Sequence, residues 1–94
     1  MALPTTRWDS AEYLQTAEDI AAYLGAVLEE GDPALVTHAL GVIARARGIS
    51  QIANETGLAR DSLCNALSAD GHPEFSTVMK VINALGLRLH THAA

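Results

Sequence analysis

Residues Ser50 to Leu67, Ser-Gln-Ile-Ala-Asn-Glu-Thr-Gly-Leu-Ala-Arg-Asp-Ser-Leu-Cys-Asn-Ala-Leu, leave few ways for this chain to fold. Ser50 can cap a short helix through its hydroxyl, and Ile52 with Ala53 supply that helix's inward face. Gly57 then ends it, because glycine takes positive φ without steric cost, and Leu58 suits the apolar contact that closes a helix C-terminus. A second helix follows at once. Leu63, Ala66 and Leu67 form its inward set at helical spacing, while Arg60, Asp61, Ser62, Cys64 and Asn65 point elsewhere. The small Ala53 four residues before the glycine lets two helices cross closely. Leu63, six residues beyond the glycine, anchors the second. This is the pattern of a helix-turn-helix, whose second helix must stand proud of the body to enter a major groove about 12 Å wide. Any small helical hairpin shares part of the pattern.

With 94 residues, 49% hydrophobic and 18% charged, the chain suits one domain with a modest core. Residues 1 to 9 show no basic flank leading into an apolar run, and no stretch has the apolar length a bilayer requires, so a cytoplasmic location and no membrane association are expected. The single Cys64 has no second thiol for a disulfide or a metal site.

A net charge of −5 weighs against nucleic-acid binding until its distribution is considered. Residues 1 to 42 set seven acids against the lone Arg7. Beyond Val42, five cations meet four acids. The two parts are suited to different partners. On this basis the chain divides into an N-terminal arm with an acidic helix, 1–31, and a DNA-binding body, 32–94.

Met1 to Asp9 has Pro4 and no apolar period, and reads as an extended arm whose one sticky residue is Trp8. From Thr16 a helix is predicted, with Thr16 and Asp19 as a capping pair and Ile20, Tyr23, Leu24, Val27 and Leu28 as its stripe. Glu29 and Glu30 oppose the dipole at its end, a cost of a few tenths of a kcal/mol each that a basic partner would relieve. Asp32-Pro33 starts the next helix, a capping carboxylate followed by proline at the first helical position. It runs to about Arg47 with Leu35, Val36, Ala39, Leu40, Ile43 and Ala44 as a wide apolar face. Glycine followed by an aliphatic residue closes three helices, at Gly48-Ile49, Gly57-Leu58 and Gly86-Leu87. Arg45 and Arg47 stand beside the helix-turn-helix, where a guanidinium reaches phosphate.

Ser68 to Pro73 has the composition of a loop. The last helix buries Phe75, Val78, Val81, Ile82 and Leu85. Leu87 to His92 alternates apolar and polar, as an edge strand does; such a strand needs a partner, and a symmetry mate's copy through Leu87 and Leu89 is the economical one. The fold class is therefore all-α: a helix-turn-helix bundle of about five helices with a short C-terminal β-strand, an arrangement that resembles the lambda-repressor-like fold. His38, His72, His90 and His92 invite a metal reading, but no carboxylate or thiol is placed to complete a shell, and Cys64 on a packed helix is a poor nucleophile. No cofactor and no enzymatic activity are expected.

Several motifs together are more specific. Trp8 to Leu14, Glu18 to Leu24, Glu30-Gly31-Asp32-Pro33, Ala44 to Gly48, Gly71-His72-Pro73-Glu74-Phe75-Ser76-Thr77-Val78-Met79-Lys80-Val81 and Ala84-Leu85-Gly86-Leu87-Arg88-Leu89 resemble the addiction-module antidotes. These are HigA-like antitoxins with Xre-type helix-turn-helix domains. The resemblance implies an antitoxin that neutralises a small basic toxin of the RelE/ParE superfamily and represses its own operon as a homodimer on an inverted-repeat operator in double-stranded DNA. A stand-alone Xre-type repressor is the alternative. Carried over by residue, Gln51 matches the glutamine near backbone phosphate, and Arg60, Asp61 and Ser62 match the exposed start of the reading helix. Cys64 stands where relatives carry tyrosine, Asn65 where they carry lysine, and His72 replaces an asparagine in the loop. The expected DNA-contacting set is Arg47, Ser50, Gln51, Arg60, Asp61, Ser62, Cys64 and Asn65. The expected toxin-contacting set is Trp8, Tyr13, Asp19, Tyr23, Glu29 and Glu30, with the aromatics as anchors and the acids steering encounter.

Overall fold

The structure is a computed structural model that describes residues 16–94. Among these residues the order is α1 (Ala17–Glu30), α2 (Pro33–Arg47), α3 (Ile49–Thr56), α4 (Arg60–Ala66) and α5 (Phe75–Ala84). Trp8 and Tyr13 lie outside the described residues. No helix is long and apolar enough to cross a membrane among those described.

The caps expected for the first two helices are formed. The Asp19 amide donates to Thr16 Oγ1 at 3.0 Å, and the Ala34 amide donates to Asp32 Oδ1 at 3.0 Å with Pro33 opening the helix. α1 is held by Ile20, Leu24 and Val27, which join Leu40, Ile43, Ile52, Leu63, Leu67, Val81, Ile82 and Leu85 in one core. The boundary expected after Gly31 thus falls between two helices that share a core.

α2 and α3 are joined through a single residue. Gly48 has φ +104 and ψ 103, which only glycine adopts without strain, and it is both the last cap of α2 and the first of α3. This corrects the expectation for Ser50. The helix begins at Ile49, so Ser50 lies inside its first turn and caps nothing. Gly57 behaves as expected: at φ +75 it ends α3, and the amides of Gly57 and Leu58 both donate to the Ala53 carbonyl. Thr56 Oγ1 donates to the Ile52 carbonyl at 2.8 Å and accepts from the Leu58 amide at 3.4 Å, which stiffens the turn into α4.

The C-terminal strand is not formed; among the described residues there is none. The Leu87 amide bonds back to the Ile82 carbonyl at 3.1 Å, so Leu87 belongs to the closure of α5 and packs on the core. Its alternation with Leu89 comes from a cap followed by a groove-lining residue, and among the described residues 87–94 have no neighbouring strand edge to pair with. The apolar stripes are also less covered than expected: Phe75 is 71% exposed, Leu28 42% and Leu35 37%. All three sit in the first or last turn of a helix, where spacing alone cannot show whether a neighbour reaches.

At Gly41 the backbone of α2 comes close to the end of α4. A Cβ there would stand 2.6 Å from the Leu67 carbonyl oxygen and 3.1 Å from the tip of Arg45. The Arg45 tip can swing away, but the backbone carbonyl at the end of α4 cannot. Gly41→Ala is therefore expected to destabilise by about 1–3 kcal/mol through overpacking, against the roughly 1 kcal/mol gain that alanine gives in an open helix. Thermal unfolding checks the sign; a raised midpoint would show that α2 and α4 have room to separate.

Candidate nucleic-acid interface

α4 is a seven-residue helix, too short to persist on its own. Leu63, fully buried, ties its middle to the core, and Leu67, 1% exposed, ties its end. With those two facing inward, Arg60, Asp61, Ser62 and Asn65 are exposed, and Cys64 is half-buried at the margin. The exposed side chains are short apart from Arg60, so the α4 backbone can approach a flat or grooved partner closely. Asp61 in the first turn suits the positive end of the helix dipole, which gives it a structural use independent of any ligand.

α3 packs against α4 and presents Ser50 and Gln51 on its exposed first turn. Gln51 Nε2 donates to Glu55 Oε2 at 3.3 Å, four residues on, so this amide is oriented along the helix surface. Arg47 is exposed in the last turn of α2, immediately before the Gly48 junction. The sequence-expected set thus comes from three consecutive elements, with Arg47 and Arg60 as its cations and Asp61 and the neighbouring Glu55 as its acids. Such a surface can donate and accept hydrogen bonds with little net charge. Among the described residues its half-buried Cys64 is a free thiol.

The residues expected to meet a toxin are divided by α1. Asp19, Tyr23 and Glu30, separated by four and then seven residues, share one flank, with Tyr23 half-buried and packed against the core. Glu29 lies on the other flank with Ala21, Gly25 and Leu28. There it lines an apolar groove floored by Leu24 and Ile82 and walled by Arg88, Leu89, His90 and His92. The groove continues past Leu28 and Leu89 into a second lobe bounded by Val36, Phe75 and Val78. Helical spacing alone hides this groove, because it places Phe75 and Leu28 in stripes that look covered. The available signal was their place in terminal turns beside Pro73 and Gly31.

A family model described as "probable addiction module antidote protein" matches residues 4–93. The chain belongs to this family. An uncharacterised protein of Haemophilus influenzae is 49% identical over 81 residues, covering 86% of this chain and 84% of the relative. No solved structure matches. Membership in an antidote family carries with it a toxin partner, and the antidote role expected from the motifs stands at that level.

Proposed function

We propose that this antidote is a DNA-binding antitoxin: it holds a small basic toxin of the RelE/ParE superfamily and represses its own operon as a homodimer on an inverted repeat. The observation that carries the DNA half is α4, a short helix anchored by Leu63 whose outward face is Arg60, Asp61, Ser62 and Asn65. Read as the second helix of a helix-turn-helix, it places these groups at base edges, while Arg47, Ser50 and Gln51 meet the phosphate backbone and Cys64 lies at the margin. One such helix covers only a half-site, which is why a dimer is proposed. The toxin half rests on the acidic flank of α1, Asp19, Tyr23 and Glu30, together with Trp8 and Tyr13.

The toxin half has a direct test against a basic toxin encoded beside the antidote gene. Reversing Asp19 and Glu30 to lysine is expected to slow association about tenfold at low salt, because opposite charge accelerates encounter between oriented patches. The difference should fade as salt is raised toward 1 M, where the screening length is about 3 Å. Stopped-flow mixing reads both. Equal rates at low salt would move the toxin to another face. The absence of any adjacent basic toxin gene would favour a stand-alone repressor.

A further inference from the structure

Three of the four large apolar side chains left exposed among the described residues, Phe75, Leu28 and Leu89, line the continuous groove between α1, the start of α2, α5 and the chain end. The fourth, Leu35, lies on α2 beside Val36 of the same groove. Their convergence on one face is not explained by the α4 surface or by the Asp19, Tyr23 and Glu30 flank. The two lobes hold about 240 and 440 Å³, space enough for side chains from outside.

The charges around the groove indicate what fills it. One wall carries Glu29; the facing wall carries Arg88. A basic partner would be met better by a rim of one sign. A two-fold contact sets this surface against its own copy, so an acid and a base on the same surface can pair in both directions. We propose that this groove is the homodimer interface, with Phe75 and Leu28 of each copy entering the other's groove and Arg88 facing the second copy's Glu29 in both directions. This rests on the homodimer reading above and supplies its surface. It leaves α4 of each copy free for DNA and the opposite flank of α1 free for the toxin.

The test uses the full chain and light scattering over a concentration series, with helix content and thermal melting recorded for every variant. Wild type should be dimeric at micromolar concentration. Phe75→Glu and Leu28→Glu should each raise the dimer dissociation constant at least about thirtyfold, the loss typical of a central anchor, and should fold as wild type because both side chains are exposed in the monomer. Glu29→Arg and Arg88→Glu should each weaken the dimer, and the two together in one chain should restore it, which a merely unfolded variant cannot do. A wild type that stays monomeric free and on DNA overturns the homodimer reading itself. A dimer unaffected by both glutamate variants, or by the charge exchange, leaves that reading standing and overturns the groove as its site. Variants that stay dimeric but lose the toxin would assign the groove to the toxin instead.

Discussion

Leu63→Ala is expected to lower the unfolding free energy by about 2–5 kcal/mol, the range for removing a buried leucine side chain when its surroundings relax only in part. Leu63 is fully buried and is the one core residue inside α4; Leu67, just beyond the helix, is its nearest equivalent. A chain of this length has about 5–14 kcal/mol of stability in all, so the loss is a large share of it. The thermal midpoint should fall by roughly 10–30 °C. DNA binding should weaken as well, because the exposed groups of α4 are held in place by this side chain. Ser62→Ala, one position away and exposed, should move the midpoint by no more than a few degrees. Parallel melts by circular dichroism make the comparison. A drop below about 3 °C for Leu63→Ala would mean that α4 is held by something other than its burial.

The positions of Leu63 and Ala53 were legible because they depend on local rules. Helical spacing picked Leu63, Ala66 and Leu67, and the turn chemistry of Gly57-Leu58 placed the break between α3 and α4 where the structure has it. The Thr16 and Asp32 caps were legible for the same reason. What failed depended on where neighbouring elements begin and end. Ser50 looks like a cap, but the one-residue junction at Gly48 starts α3 two positions earlier. Phe75 continues the stripe of Val78 and Ile82, but whether anything covers it is decided by where α1 ends and α2 begins. Leu87 and Leu89 alternate like a strand, yet one is recruited by the Ile82 carbonyl and the other lines the groove. Of the candidate site, the outward set on α4 followed from the same period that found its core residues. The separation of Glu29 from Asp19, Tyr23 and Glu30 required knowing which flank of α1 meets α5.

Arg60→Ala is expected to weaken binding to the DNA upstream of the antidote's own operon by about 1–3 kcal/mol, or roughly five- to 150-fold, without a change in folding. Arg60 opens α4 and is exposed, so its removal leaves Leu63 and the core untouched. It is also the only cation on that helix: Asn65 is neutral and Asp61 is acidic. A surface so poor in cations makes each one count, since phosphate neutralisation and counterion release supply most of the salt-sensitive affinity. Two outcomes separate the roles open to Arg60. If it contacts phosphate, the variant should bind all sequences more weakly, and the slope of log affinity against log salt should fall by about one. If it reads a base edge, the loss should concentrate on the operator and discrimination at one position should relax, because a guanidinium bidentate to guanine is the commonest specific contact. Titrating operator and scrambled duplexes at two salt concentrations distinguishes these outcomes. Binding by the variant that matches wild type on both duplexes at both salt concentrations would remove Arg60 from the DNA-contacting set.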